Sequence, residues 1–101
     1  MVRGTTPTNT FEVDADLTEA SAVYITYDQG GKVVFEKSNL TGGVEITKDT
    51  VLVNLTQEDT LALNSSMPVK IQIRAKFPSG SAIASNMIRA RVEDILKDGE
   101  I

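Results

Sequence analysis

The chain is 101 residues long, 41% hydrophobic and 24% charged, proportions near those of ordinary globular domains and enough for a single domain with a real core. It contains no cysteine and no histidine, which excludes disulfides, thiolate nucleophiles and cysteine-based metal centres and removes the commonest general base. Fourteen acidic against ten basic residues give a net charge of −4, the wrong sign for neutralising phosphates along a nucleic acid, and no run approaches the ~20 apolar residues of a membrane helix.

Residues 1–8 are rich in threonine, with a glycine and a proline, and read as an extended N-terminal arm that is mobile in isolation. They lack the apolar run of a secretory signal, so the expectation is a protein made in the cytosol and kept there unless something carries it elsewhere. A first strand is expected around residues 10–13, followed by a polar, acidic connection over 14–19. The strongest strand signal is residues 21–28, where Val23, Ile25 and Tyr27 alternate with Tyr24 and Thr26 and nearly every side chain is β-branched or aromatic. Gly30-Gly31 supplies the positive φ angles of a primed turn, so residues 32–37 return as the second strand of a hairpin.

Thr41-Gly42-Gly43 and Lys48-Asp49 punctuate a second hairpin with strands over 44–47 and 50–55. Thr56 with an acid three places on, Asp59, has the form of a capping box and predicts one helical turn over 57–63, crossing between sheets. Residues 68–77 give the clearest alternation: Val69, Ile71, Ile73, Ala75 and Phe77 on one face, with Lys70, Gln72, Arg74 and Lys76 on the other. Pro78-Ser79-Gly80-Ser81 closes a third hairpin, returning over 82–92. That return strand loses phase, because Ile83 sits on one face and Ile88, Ala90 and Val92 on the other; a β-bulge near Ser85-Asn86 repairs it. The last residues, with Ile95, Leu96 and Ile101 among charges, form a terminal helical turn or a docking tail. The division is an arm over 1–8, a sandwich domain over 9–94 and a C-terminal tail over 95–101. The fold class is an all-β, immunoglobulin-like β-sandwich of about seven strands with one short helical turn.

Catalytic chemistry would have to come from carboxylates, and their placement argues against it. Asp14 and Asp16, with Glu12 and Glu19 nearby, lack the glycine and bidentate glutamate of a calcium loop and read as a solvated acidic turn. Glu58 and Asp59 read as first-turn acids facing the positive helix end rather than as a catalytic dyad. Gly30-Gly31-Lys32 has neither the upstream glycine nor the Ser or Thr of a phosphate loop. The reading is therefore no enzyme, no catalytic residues, no cofactor and no metal. One surface feature stands out: Lys70, Arg74 and Lys76 share a strand face, and Arg89 and Arg91 lie on its hairpin partner. If the registers align they form a positive stripe, a candidate protein-interaction surface for an acidic partner; the alternative is an ordinary solvated face whose lysines discourage edge pairing.

Arg3-Gly4-Thr5-Thr6-Pro7-Thr8, Leu55-Thr56-Gln57-Glu58-Asp59-Thr60-Leu61 and Ile71-Gln72-Ile73-Arg74, with Ala84-Ser85 and Ile95-Leu96, resemble short proteins encoded among the tail genes of prophages in Gram-positive gut bacteria. The architecture is similar to the immunoglobulin-like N-terminal domains of phage baseplate proteins. The resemblance implies a non-enzymatic phage or prophage structural module for tail or baseplate assembly, its partners being other phage structural proteins and its own copies, with no nucleic acid and no membrane. It implies localisation in the bacterial host cytoplasm during assembly and then in the virion, with arm and tail adding to neighbours by strand augmentation or apolar docking. A cell-surface carbohydrate- or protein-binding β-sandwich is the alternative function.

Overall fold

Alternation with period two puts one side of each strand toward a shared interior, and that interior fixes the architecture. In the computed structural model, which describes residues 1–101, the elements in chain order are β1 (Thr8–Glu12), β2 (Ala22–Gln29), β3 (Lys32–Ser38), β4 (Val44–Ile46), β5 (Thr50–Asn54), α1 (Gln57–Leu61), β6 (Val69–Lys76), β7 (Ala82–Ala84) and β8 (Ile88–Ala90). All strand pairs are antiparallel. A smaller sheet runs β1-β5-β4, and a larger one runs β3-β2-β6, with β7 and β8 sharing the far edge of β6. The chain leaves the small sheet after β1 to make the β2–β3 hairpin, returns for β4 and β5, and crosses through α1 to β6. This is the immunoglobulin-like exchange between two facing sheets. Because β7 and β8 are one interrupted strand, the sandwich has seven.

The core lies between the sheets. Val23, Ile25 and Tyr27 from β2 and Val69, Ile71, Ile73 and Ala75 from β6 meet Phe11, Val51, Val53 and Leu55 from the small sheet. Leu17, from the acidic connection, is equally buried; its amide donates to the Lys48 carbonyl at 2.6 Å, so a segment expected as a polar, acidic connection carries a core plug. The two central glycines of the β2–β3 turn have φ of 62° and 84°, as a two-residue primed turn requires. Just beyond it the register shifts, Tyr27 opposing Phe35 but Asp28 opposing Val33. This leaves Phe35 stacked on Tyr27, with centroids 4.4 Å apart, and turns Lys37 inward on an edge strand.

Helix α1 starts at the reciprocal capping box anticipated from Thr56: Asp59 N–H donates to Thr56 Oγ1 at 3.1 Å, and Thr56 N–H to Asp59 Oδ2 at 2.9 Å. Asp59 Oδ2 also receives the Lys37 ammonium at 2.7 Å, tying the helix to the edge of the large sheet. Burial alone pushes the Asp59 carboxyl up; Lys37 and the two Thr56 donors more than reverse that and hold it below the usual carboxylate range. Deeper in, the Tyr27 hydroxyl and Asn9 Nδ2 are buried and face each other without hydrogen-bond geometry. Burial first, and the Asp59 charge second, push the Tyr27 phenol well up.

The N-terminal residues, expected as a mobile arm, are stitched back onto the domain. Val2 makes a parallel bridge to Glu93. The Arg3 side chain donates to the Leu63 and Leu61 carbonyls at 2.9 and 3.1 Å, where α1 ends, and to Asp94 at 2.6 Å. Thr5 and Pro7 offer carbonyls to the buried Thr60 hydroxyl and the Leu55 amide. Strand β1 itself begins within the expected arm, at Thr8. The C-terminal residues form no helical turn. They lie along the arm and α1, held by Arg3 and by a double hydrogen bond between the Gln57 amide and the Ile101 backbone.

Candidate functional site

The outer face of the large sheet carries the cations singled out in the sequence, and a single residue decides their arrangement. Along β7, Lys76 opposes Ala82 and Arg74 opposes Ala84. Along β8, Ile71 opposes Ile88, Lys70 opposes Arg89 and Val69 opposes Ala90. The return strand therefore gains one residue between β7 and β8, the bulge expected near Ser85-Asn86. Ser85 organises it: its amide donates to the Ile73 carbonyl at 2.8 Å, and its hydroxyl accepts the Ile73 N–H at 3.0 Å while donating to the Asn86 carbonyl. Without the extra residue, Ile88 would oppose Lys70 on the wet face and Arg89 would point into the core. The bulge turns both round.

Lys70, Arg74, Lys76 and Arg89 thus share one face, with Arg91 exposed just beyond β8. The alanines opposite Arg74 and Lys76 keep the surface flat. None of the five cations belongs to an ion pair; the three pairs present are Arg3 with Asp94, Arg3 with Asp98, and Lys37 with Asp59. Like charges directly across a strand pair repel, and Arg89 sits opposite Lys70 on one side of β6, while on the other side Lys70 faces Asp28 of β2, an acid on the same outer face that forms no ion pair with it. Edge protection does not account for β6, because β6 is an interior strand between β2 and the β7/β8 edge. Between Lys70 and Met87 the face dips into a depression of about 240 Å³, also lined by Thr26, Asp28 and Gln72, and Met87 is an exposed apolar side chain beside it.

The other candidates are not brought together into a site. The Asp16 carboxylate accepts the Thr18 hydroxyl and amide at 2.6 and 2.9 Å, donors that lower its pKa and close a local turn; no three carboxylates converge as a metal site needs. Glu58 and Asp59 are separated in role, since Asp59 caps the helix while Glu58 has no shared partner with it. A larger depression, about 540 Å³, lies between the end of β1 and the bulge, with Glu12 and Asp14 on one side and Ile83 and Ile88 on the other. Both of its acids are exposed to solvent, and no catalytic pairing is formed there. Sequence reasoning missed Met87 and the depression, because an isolated methionine beside a bulge follows no period. Comparison with family models, with curated proteins and with solved structures finds no match.

Proposed function

We propose that this domain is a non-enzymatic structural module of a phage or prophage particle, contributing to tail or baseplate assembly through protein–protein contacts. The observation that carries the reading is the outward row of five cations with no ion pair, Lys70 and Arg89 side by side and Asp28 across from Lys70. A cluster of like charges without ion-pair partners on one exposed sheet face is what a docking face for an acidic partner offers. An acidic protein surface is its complement, rather than a phosphate backbone, since a chain of net charge −4 repels a polyanion at long range. The sequence resemblance to prophage tail-region proteins supplies the biological setting, with the chain in the host cytoplasm during assembly and then in the virion.

Removing the gene from a lysogen, inducing it and inspecting the particles by negative-stain microscopy tests this. Particles lacking complete tails or baseplates are expected, rescued by the wild-type chain and not by one carrying Arg74→Glu and Arg89→Glu. Complete, infective particles from the deletion strain refute the proposal.

A further inference from the structure

Resting on that reading, we infer that the cationic face receives the C-terminal segment of a second copy, so that the chain associates head to tail. The arm is not free to act as donor: its backbone and Arg3 are already engaged with α1, Glu93 and Leu55. The C-terminal segment is different. Polar contacts fix it at its two ends, Asp94 to Arg3 and Ile101 to Gln57, while Ile95 turns in toward Gly4 and Leu96 stands fully in solvent, as does most of Ile101. A segment held in this way displays Leu96 already ordered, which lowers the entropic cost of docking it.

Charge and shape both match the face. The segment carries Glu93, Asp94, Asp98 and Glu100 against Lys97, with Asp94 and Asp98 already shared with Arg3, and Glu93 and Glu100 in no ion pair, and the face carries five cations that form no ion pair beside one acid, Asp28. Met87 is the one apolar side chain Leu96 would meet in the depression, whose other walls are Thr26, Asp28, Lys70 and Gln72. Within its own chain the segment's longer-range hydrogen bonds run to Met1, Arg3 and Gln57 and to none of the five cations, so it is not seated on its own copy's face. In a head-to-tail contact each added copy leaves one free face and one free segment, and growth stops if a ring closes or two copies exchange segments reciprocally.

Complementation between two full-length variants tests this. Leu96→Asp disables the segment at a fully exposed position, and Arg74→Glu with Arg89→Glu disables the face at exposed positions; circular dichroism checks that both remain folded. By light scattering the wild-type mass should rise with concentration at low salt, with association weakened roughly tenfold or more as salt reaches about 0.5 M. Each variant alone should stay monomeric, and an equimolar mixture should form a dimer and nothing larger, because only one good face meets one good segment. A wild-type monomer at every concentration overturns the inference, as does loss of association in both variants without rescue on mixing. Association abolished by the face variant but kept by Leu96→Asp also overturns it, yet leaves the assembly reading standing with another ligand for the face. Association untouched by either variant counts against both.

Discussion

Lys37 and Asp59 form the one ion pair that links α1 to the large sheet, and its worth can be worked out from where it sits. The nitrogen–oxygen distance is 2.7 Å, with side chains 22% and 12% exposed. Exposed pairs contribute about 0–1 kcal/mol, and stripping one partner from a fully buried pair costs about 3–5 kcal/mol; this pair lies between those limits. Lys37→Met leaves Asp59 its Thr56 N–H and keeps an apolar cover near Phe35, so a loss of about 1–2 kcal/mol is expected. Asp59→Ala removes the pair and one half of the capping box, for about 2–3 kcal/mol. The double variant should fall short of the sum by about 1–2 kcal/mol, measured by urea denaturation followed by circular dichroism at pH 7. The Asp59 carboxyl is held below its usual range, so its folded pKa is depressed relative to the unfolded chain. Its contribution is present above the unfolded value near ~4 and is lost as pH falls through the folded value, and the coupling should shrink over that descent. A coupling below about 0.3 kcal/mol at neutral pH would refute the claim that the pair joins helix and sheet.

Other residues give sharper yes-or-no outcomes. Tyr27→Phe removes a buried hydroxyl that has no partner, so urea denaturation should show no loss of stability or a gain of up to about 1 kcal/mol; a measurable loss means the hydroxyl is bonded. Gly4 and Gly31 both have positive φ, but an added Cβ at Gly4 would lie 2.8 Å from Ile95 Cδ1 and at Gly31 would meet nothing. Alanine should cost about 1–2 kcal/mol at either glycine from backbone strain, with little added at Gly4 because the atom it meets is the free end of the Ile95 side chain; a markedly larger loss at Gly4 shows that Ile95 cannot move. Ser85→Ala leaves the Ile73 amide without its acceptor, which should cost about 1–2 kcal/mol and speed hydrogen exchange at that amide, and unchanged exchange would show that the bulge is held by other contacts.

Where the sequence repeats a simple period, it declares the structure. The alternation in β2 and β6 assigns Val23, Ile25, Ile71 and Ile73 to the core and Lys70, Arg74 and Lys76 to the outer face, and the structure places them there. The break of phase between Ile83 and Ile88 is legible for the same reason, since only an inserted residue reconciles the two. Leu17 is not legible: one leucine among acids and threonines has no period, and its burial depends on the loop beside Lys48 that receives it. Nor is Lys37, because the register shift after Tyr27 decides which way the residues of β3 point, and Val33 and Val34 fit either phase. Arg3 is hidden for a third reason. Its main partners are backbone carbonyls at the end of α1, groups that every sequence possesses.

The sheet edges show why the cationic face calls for an explanation outside folding. Open edges invite pairing with other chains and are blunted by inward charges, bulges and short strands. All three devices are present and lie elsewhere: Lys37 turned inward on β3, a register shift between Tyr27 and Asp28, and a far edge split by the Ser85 bulge into two strands of three residues. Lys70, Arg74 and Lys76 stand on an interior strand that has no edge to defend. The same bulge that blunts the edge brings Arg89 opposite Lys70, so one inserted residue both shields the backbone and concentrates charge. Protection of the sheet explains the bulge; it leaves the cations that the bulge gathers unexplained, and the proposed contact with an acidic surface would turn their mutual repulsion into an attraction.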